Sequence, residues 1–490
     1  MVLTAMHLAC SAEKGRRKSL RRRKRVTFRQ RSRWDWRCRR WRRSWEKARW
    51  RRRVLGGTDL ALGIFMRGPR GTLIPSLAGH KGSLLDILRH QIKAQGPLSM
   101  AEYMQQCLCH PDFGYYMRRD VFGRRGDFTT SPEISQLFGE MVGVWTSIAL
   151  DRVAKPKWQL LEFGPGRGTL SLDVLRAVRD VRNLTSGSLH LIEISPELRK
   201  VQQRAVQETF TAWGMPFQRD LLSPTVERLW RNDFSVTWYP AFQEFVARQL
   251  TEKVTTPTLM LAHEFFDALP VHQFQYFRAR GWCERLVTVN SSDELEITVS
   301  PQPTSNTLSI LKPEKRFDLR ATADLQEGDM IEVPEASLKQ MMDVCEFMKH
   351  RPSTLLVADY GEDHSFSNSL RAIKEHQKLE TGWLNIPGEA DLSAYVDFAG
   401  LKAVVKQYPE LGAMGPVPQG AFLESMGISL RLDMLLQKAT VEQGNRLESE
   451  VERLVSPLEM GEIYKFLYIG TASLGELYPF IPSLHFSRKK

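Results

Sequence analysis

The chain has 490 residues, enough to bury a large core in two or three domains or in one enlarged α/β domain with appended segments. The net charge is +13, but residues 1–53 hold 22 Lys and Arg against 3 Asp and Glu, a charge of +19, so the rest of the chain carries −6. We therefore expect no basic nucleic-acid-binding face in the folded part.

Residues 1–78 are predicted to be a basic head or targeting segment. From Lys14 to Arg53, dense arginine is mixed with tryptophan without a helical or strand period, which indicates disorder in isolation. Three interpretations stay open: an organelle-targeting presequence, an arm that binds RNA by phosphate contacts and stacking, or an extension upstream of a true start at Met66.

The chain contains no apolar run near the roughly 20 residues that span a bilayer, so no transmembrane segment is predicted. Its six cysteines form no C-x-x-C pair and no repeated framework, and reduced thiols are expected. Cys107 and Cys109 lack a second pair that would complete a metal site, so we expect them in a helix core and predict no metal.

Residues 79–150 are predicted to be a helical N-terminal portion. Apolar residues recur at helical spacing from Leu84 until Gly96 and Pro97, and a second helix is expected from Met100 to Cys107. Ser131 and Pro132 indicate a further helix start, followed by one apolar face.

A cofactor-binding turn is indicated after the apolar strand that ends near Phe163. Glycines at 164, 166 and 168 permit a tight turn and close approach to a ligand, and the first amides of a helix beginning near Thr169 would face that ligand. A dinucleotide fingerprint would need its third glycine one position later. A tight turn without a ligand is the alternative.

The next strand, Leu189 to Ile194, places Glu193 near its carboxyl end, and Ser195 and Pro196 open another helix. In a doubly wound parallel sheet this edge carries the ligand crevice, where an acid can accept hydrogen bonds from ribose hydroxyls. The alternative for Glu193 is a solvated charge at a strand end.

Polar residues also follow a later apolar strand, Thr258 to Ala262, which continues into His263, Glu264 and Asp267. Alternating residues in 271–300 predict a β-hairpin or meander within a β-rich insertion at about 271–350. Residues 355–361 indicate another buried strand, with Asp359 and Tyr360 at its end, and residues 387–392 are expected to cap a helix.

Six segments together resemble the MidA-type protein arginine methyltransferases, which are mitochondrial complex I assembly factors. They are GDFTTSPEISQLFGE at 126–140, LLEFGPGRGTL at 160–170, HLIEIS at 190–195, LAHEFFDALPVHQF at 261–274, VADYG at 357–361 and PGEADLSAYVDF at 387–398. The resemblance covers roughly residues 84–470 and is absent from the head. It implies a class I methyltransferase fold over residues 151–480, a Rossmann-like doubly wound sheet, with S-adenosylmethionine as methyl donor.

The resemblance also implies symmetric dimethylation of an arginine in a core subunit of respiratory complex I, in the mitochondrial matrix. Glu264 and Asp267 are the candidate catalytic residues, because carboxylates that pair with two guanidinium nitrogens hold the third towards the methyl group. The alternatives are that either acid caps a helix or bonds the backbone, and that His263 is a packed residue. The predicted cofactor-binding residues are Glu162, Gly164, Pro165, Gly166, Gly168, Glu193, Asp127, Ser131 and Glu133.

Ser131 has a plain helix N-cap as its alternative role. Two other functions remain open for the whole chain: a non-catalytic assembly chaperone that binds S-adenosylmethionine for stability, and a methyltransferase acting on RNA or a small molecule. Acids at both 264 and 267 argue against the chaperone, and the net negative charge of the folded part argues against an RNA substrate.

Overall fold

The computed structural model describes residues 82–118, 129–153, 157–182, 186–215, 218–221, 227–231, 233–313 and 325–481. The predictions for the basic head and for Asp127 concern residues outside these ranges. None of the helices within them is both long enough and apolar enough to cross a membrane.

The described chain opens with two capped helices, as the apolar spacing predicts. Its first elements are α1 (Leu84–Gln95), the short strand β1 (Leu98–Ser99), α2 (Met100–Cys109) and α3 (Tyr115–Arg118). Ser83 and Ser99 each close a capping box with an acid three residues later, which satisfies free amides at both helix starts. Gly96 ends α1 with a positive φ, as expected from the Gly-Pro pair.

The next helical segment is broken in two, α4 (Ser131–Ile134) and α5 (Gln136–Val153), because Ser135 is extended. Ser131 was a candidate N-cap, and that interpretation is wrong. Thr130 is the N-cap, its carbonyl oxygen accepts bonds from the Glu133 and Ile134 amides, and Ser131 is the first helical residue. The predicted apolar face of α5 is buried.

The first half of the central sheet contains the predicted strands and helices over residues 159–212 and the predicted strand at 258–263, with further elements between them that the sequence did not predict. Its elements are β2 (Gln159–Phe163), α6 (Thr169–Arg182), β3 (Ser186–Ile192), α7 (Pro196–Ala212), β4 (Gln218–Leu221), β5 (Glu227–Arg231), β6 (Asp233–Tyr239), α8 (Phe242–Thr251) and β7 (Thr258–His263). Ser195 caps α7 and Pro196 occupies its first turn, in agreement with the sequence.

The predicted meander follows β7 and is antiparallel throughout. It comprises β8 (His272–Phe277), β9 (Gly281–Val289), β10 (Leu295–Val299) and β11 (Met330–Val333), and β1 also pairs with β9. The N-terminal helices pack against this sheet, since Leu88 and Val287 share one apolar cluster. The following helix α9 (Glu335–Met348) returns to the central sheet, where Met341 packs with Leu355.

The next elements are β12 (Ser353–Glu362), β13 (Arg371–Lys374), β14 (Gln377–Leu379), β15 (Asp391–Ser393), β16 (Val396–Asp397) and α10 (Phe398–Val405). Strands β14, β13 and β15 form a small separate sheet. The expectation that residues 387–392 cap a helix is wrong. Strand β15 begins there at Asp391, and the N-cap of α10 is Asp397, whose carboxylate accepts a bond from the Gly400 amide.

The last described elements are β17 (Leu411–Pro418), four helices and β18 (Tyr464–Thr471). The helices are α11 (Gln419–Met426), α12 (Ile428–Leu436), α13 (Val441–Val455) and α14 (Met460–Ile463).

The central sheet has the order β17-β18-β12-β7-β2-β3-β6-β5-β4. The five strands β6, β3, β2, β7 and β12 are parallel, and β18 is antiparallel to β12. Numbered by their order in the chain, these parallel strands lie across the sheet as 3-2-1-4-5. The strand order reverses beside β2, where a ligand crevice is expected at the carboxyl ends. The doubly wound α/β sheet predicted from the sequence is therefore present.

Helices cover both faces of this sheet. Leu160 packs in a cluster with residues of α5, α6 and α7, whereas its neighbour Leu161 packs with residues of α8, α9 and α10. Apolar side chains on both faces are expected for a buried parallel sheet. The sheet thus fixes the carboxyl ends of β2, β3 and β7 beside one another.

Candidate active site

The loop between β2 and α6 is a glycine cradle at the carboxyl edge of the sheet. Gly164, Gly166 and Gly168 have φ angles of +55°, +54° and +84°, in the left-handed region that favours glycine. A Cβ atom added to Gly164 would lie 3.2 Å from the Phe265 ring. A side chain at Gly164 would therefore press on this ring, and glycine keeps the loop backbone bare at that point.

Glu193 directly follows β3 and is buried at this edge. Its carboxylate accepts a bond from the Ser195 amide at 2.8 Å and one from Gln202 Nε2 at 3.0 Å. Burial raises the pKa of Glu193 to about 7, although these hydrogen bonds act in the opposite direction. The structure therefore holds this acid in a fixed orientation beside the glycine loop.

Glu162 lies within β2, two residues before the first glycine, and its carboxylate accepts a bond from the Ser171 hydroxyl on α6. Burial raises the pKa of Glu162 to about 7. The bond joins the strand to the helix on either side of the loop. Its direct role is to fix the loop rather than to present a free charge.

The short helix α4 connects the glycine loop to the predicted catalytic acids. The Thr169 hydroxyl donates to Glu133 Oε1 at 2.5 Å, and Arg167 Nη1 lies 3.5 Å from Glu133 Oε2. Two residues before Glu133, the Ser131 backbone amide faces the Glu264 carboxylate. The structure thus brings Ser131 and Glu133 to the same edge as the cradle.

The turn after β7 carries both candidate catalytic acids in a strained conformation. Glu264 has a φ of +46°, which is uncommon for a residue other than glycine. Asp359 Oδ2 accepts bonds from the amides of Phe265, Phe266 and Asp267 at 3.1–3.4 Å and so holds the turn. Backbone strain of this kind is concentrated at functional sites.

Four carboxyl groups meet here, and we call Glu264, Asp267, Asp359 and Asp391 the acid cluster. Asp267, Asp359 and Asp391 are buried, and Glu264 keeps 13% of its side chain exposed. Burial raises the pKa of Glu264 to about 8, the charge of Asp267 adds to the effect, and the Tyr464 hydroxyl opposes it. A fully ionised acid cluster is therefore unfavourable without a cation beside it.

The other three acids of the cluster also have raised pKa values. Burial raises the pKa of Asp267 to about 6 against the Tyr360 hydroxyl and the Arg371 charge, and raises that of Asp391 to about 7. The pKa of Asp359 lies well above its usual value, because the group is buried beside two other acids. Among the described residues, no group of three or more His, Cys, Asp or Glu side chains is arranged to hold a metal ion.

Three buried polar atoms in this turn have no hydrogen-bond partner: Glu264 Oε1, Asp267 Oδ1 and His263 Nε2. His263 Nε2 lies 3.5 Å from Glu264 Oε1, and burial lowers the pKa of His263 to about 3. A buried acceptor without a partner is costly, so two free carboxylate oxygens in one turn suit a ligand with several N–H donors.

Several residues of the site were not predicted from the sequence. Gln202, Tyr116 and Arg371 lie far along the chain from the glycine loop or from the acids, and no local pattern marks them, whereas Asp391 lies in the segment 387–392 that was expected to cap a helix. Asp391 accepts a bond from the Tyr116 hydroxyl at 2.7 Å. One signal in the sequence did point to this part of the site. Asp359 lies in an apolar strand, and an acid is rarely buried unless it is paired.

Comparison with known proteins identifies the family. A family model described as "Putative S-adenosyl-L-methionine-dependent methyltransferase" matches residues 141–417. The chain belongs to this family. It is 35% identical to the rat protein "Protein arginine methyltransferase NDUFAF7, mitochondrial", with 80% of this chain and 85% of the rat protein covered. The Drosophila melanogaster homolog is 36% identical over the same shares, and the human protein is 35% identical over 78% of this chain and 82% of its own length.

A solved bacterial structure supports the fold of this methyltransferase. The likely methyl transferase from Burkholderia thailandensis, solved with S-adenosyl-homocysteine, has a TM-score of 0.64 and 23% identity, covering 80% of this chain and 93% of that protein. The α/β class predicted from the sequence is thereby confirmed, and the family confirms S-adenosylmethionine as the cofactor.

Proposed function

We propose that this methyltransferase binds S-adenosylmethionine at the glycine cradle. Gly164, Pro165, Gly166 and Gly168 would line the cofactor, and Glu193 would accept hydrogen bonds from its ribose hydroxyls. The left-handed φ angles of the cradle glycines and the buried carboxylate beside them support this assignment.

Ser131, Glu133 and Glu162 would support this site rather than all touch the cofactor. Their bonds to Thr169, Ser171 and the acid turn keep the cradle in one shape. Asp127, outside the described residues, stays a candidate for the same site on the family resemblance alone.

We further propose that the substrate is an arginine side chain of a protein. S-adenosylmethionine supplies an electrophilic methyl group. Glu264 and Asp267 would orient the guanidinium, because each has a buried oxygen without a partner and a guanidinium offers five N–H donors in a planar fork. These two free oxygens carry the proposal.

A positive guanidinium would also stabilise the ionised form of the acid cluster. An opposite charge at short range favours the ionised form of a carboxyl group, against the burial that raises the pKa of Glu264 and Asp267. The substrate thus brings the charge that both carboxylates need.

The finer function rests on the relatives. Their printed names describe mitochondrial protein arginine methyltransferases. We propose that this chain acts in the mitochondrial matrix and dimethylates symmetrically an arginine of a complex I core subunit, as the family resemblance implies.

The test is to incubate the full chain with methyl-labelled S-adenosylmethionine and mitochondrial extract, and to identify the labelled residue by mass spectrometry. The proposal expects label on a protein arginine, and fragment ions distinguish symmetric from asymmetric dimethylarginine. Label on RNA or on a small molecule would replace this function. If the chain binds the cofactor but no subunit of complex I becomes labelled, the alternative of a non-catalytic assembly chaperone would be favoured.

A further inference from the structure

Arg371 is held at the edge of the acid cluster by two aromatic rings. Its guanidinium carbon lies 4.3 Å from the centre of the Tyr360 ring and 4.8 Å from that of the Tyr395 ring. Its Nε lies 3.5 Å from the Ser393 hydroxyl. A planar cation stacked in this way has little freedom to move, and a lysine could not stack equally well.

Tyr360 connects this cation to one of the candidate catalytic acids. Its hydroxyl donates a hydrogen bond to the Asp267 carboxylate, at Oδ2, and Asp267 Oδ1 stays without a partner. One oxygen of Asp267 is thus fixed by the tyrosine on which Arg371 stacks. The other remains available to a ligand.

Burial and the neighbouring acids oppose the ionisation of Asp267. Glu264, on its own turn, and Asp359 and Asp391, on β12 and β15, are acids whose charges act on it or on which it acts. The tyrosines Tyr116 on α3, Tyr360 on β12 and Tyr464 on β18 also face it. Against burial and the neighbouring acids, the hydrogen bond from Tyr360 and then the Arg371 charge favour the carboxylate.

We propose that Arg371 is a positioning residue for methyl transfer, whose guanidinium lies over the Tyr360 and Tyr395 rings and keeps the Tyr360 hydroxyl on one oxygen of Asp267, which leaves the other oxygen for the substrate arginine. The inference rests on the proposed arginine substrate. The substrate guanidinium would bring a second positive charge, which favours the ionised form of the remaining acids.

The test measures binding of a peptide centred on the arginine that the wild-type chain labels. Calorimetry with saturating S-adenosylhomocysteine gives the peptide affinity of the full chain from pH 5 to 9, and single-turnover methylation is followed over the same range. In Arg371→Met the acidic limb of both profiles should move up by about one pH unit or more, with about tenfold weaker peptide binding at pH 7. Affinity for S-adenosylhomocysteine should not change, and Arg371→Lys should recover part of the shift.

Arg351→Met is the matched control. Its guanidinium also lies over an aromatic ring, 4.1 Å from the centre of Phe347, but it precedes β12 at the opposite end of that strand from the acids. This variant should keep the wild-type pH profile. If Arg371→Met binds no S-adenosylhomocysteine, Tyr395→Leu is tested in its place, because it removes one of the two aromatic rings that contact Arg371. The acidic limb of its pH profile should move in the same direction by a smaller amount.

Wild-type profiles in Arg371→Met, or in Tyr395→Leu where it stands in, overturn the inference. The proposed function survives that result if Asp267→Asn still abolishes methylation of the peptide. Near-wild-type methylation by Asp267→Asn would instead remove the proposed function, and the role of Arg371 with it.

Discussion

Gln202 Nε2 lies 2.7 Å from the Gly166 carbonyl oxygen, so a fully buried amide on α7 is bonded to the glycine cradle. The same nitrogen lies 3.0 Å from Glu193 Oε2, and Gln202 Oε1 accepts a bond from the Trp238 indole at 3.0 Å. One side chain thereby fixes the loop and the acid that are proposed to bind opposite parts of the cofactor.

Replacing Gln202 by methionine should weaken S-adenosylmethionine binding by about tenfold, because the cradle and the Glu193 carboxylate lose a shared donor worth about 1–2 kcal/mol. Isothermal titration calorimetry measures the change. Gln207→Met, at an exposed position of the same helix, should bind like the wild type. Equal affinities for both variants would show that the cradle keeps its shape without Gln202.

Gly164→Val should abolish cofactor binding in a folded protein. The side chain would enter the cradle, meet the Phe265 ring and adopt a left-handed φ. Gly214→Val is the control, since Gly214 has a φ of +71° and open space around its Cβ position. It should lose similar stability, about 1–2 kcal/mol, and keep its affinity. Retained affinity in Gly164→Val would remove the loop from the cofactor site.

Glu193→Ala should bind S-adenosylmethionine about ten- to several-hundred-fold more weakly, because each lost charge-assisted bond contributes about 1.5–3 kcal/mol. Glu197→Ala, an exposed acid on α7, is the comparison and should change little. Calorimetry on both variants decides. An affinity of Glu193→Ala within about twofold of wild type would mean that another group binds the ribose.

The acid cluster makes a prediction for stability against pH. The pKa of Glu264 is raised from its ordinary 4.5 to about 8 in the folded protein, so the unfolded chain loses this proton first. The contribution of Glu264 to stability is complete below pH 4.5 and is lost as the pH rises through about 8. Glu264→Gln should therefore gain stability over the cofactor-free wild type between pH 5 and 8, by an amount on the order of 1 kcal/mol or more. Urea unfolding at several pH values measures it, and a constant difference would refute the pKa shift.

The fold was predictable where signals are local. The alternation of strands and helices from residue 159 to 212 follows from apolar periodicity, the glycine turn and the Ser195 and Pro196 start, whereas the elements between residues 218 and 251 were not predicted. The small sheet over residues 371–393 was not predicted, because its strands have three or four residues and pair across a loop. A Pro-Gly pair at 387–388 suggested a helix cap instead.

The site was predictable only in part. Glu264 and Asp267 follow a strand at the edge where a doubly wound sheet binds ligands, so their position alone predicts their neighbourhood. Asp391 and Tyr116 reach the same place from residues 275 apart in sequence. Sequence spacing cannot show such contacts. Which oxygens of Glu264 and Asp267 stay free depends on the hydrogen bonds that distant residues make to these acids, and only the structure shows those bonds.

The measurement that tests the account most directly separates catalysis from cofactor binding in Glu264→Gln and Asp267→Asn. Both changes keep side-chain size and remove the charge that should orient the guanidinium. Affinity for S-adenosylmethionine should stay within about threefold, and the methylation rate of an arginine client should fall by about 100-fold or more.

Asp343→Asn is the matched control for these two variants, because Asp343 is an acid of α9 whose pKa is raised by burial and which accepts a bond from Gln243. It should methylate the client normally. Replacing the client arginine by lysine should abolish the reaction, since lysine lacks the planar fork. Near-wild-type methylation by both amide variants would contradict the central claim that Glu264 and Asp267 hold the substrate guanidinium.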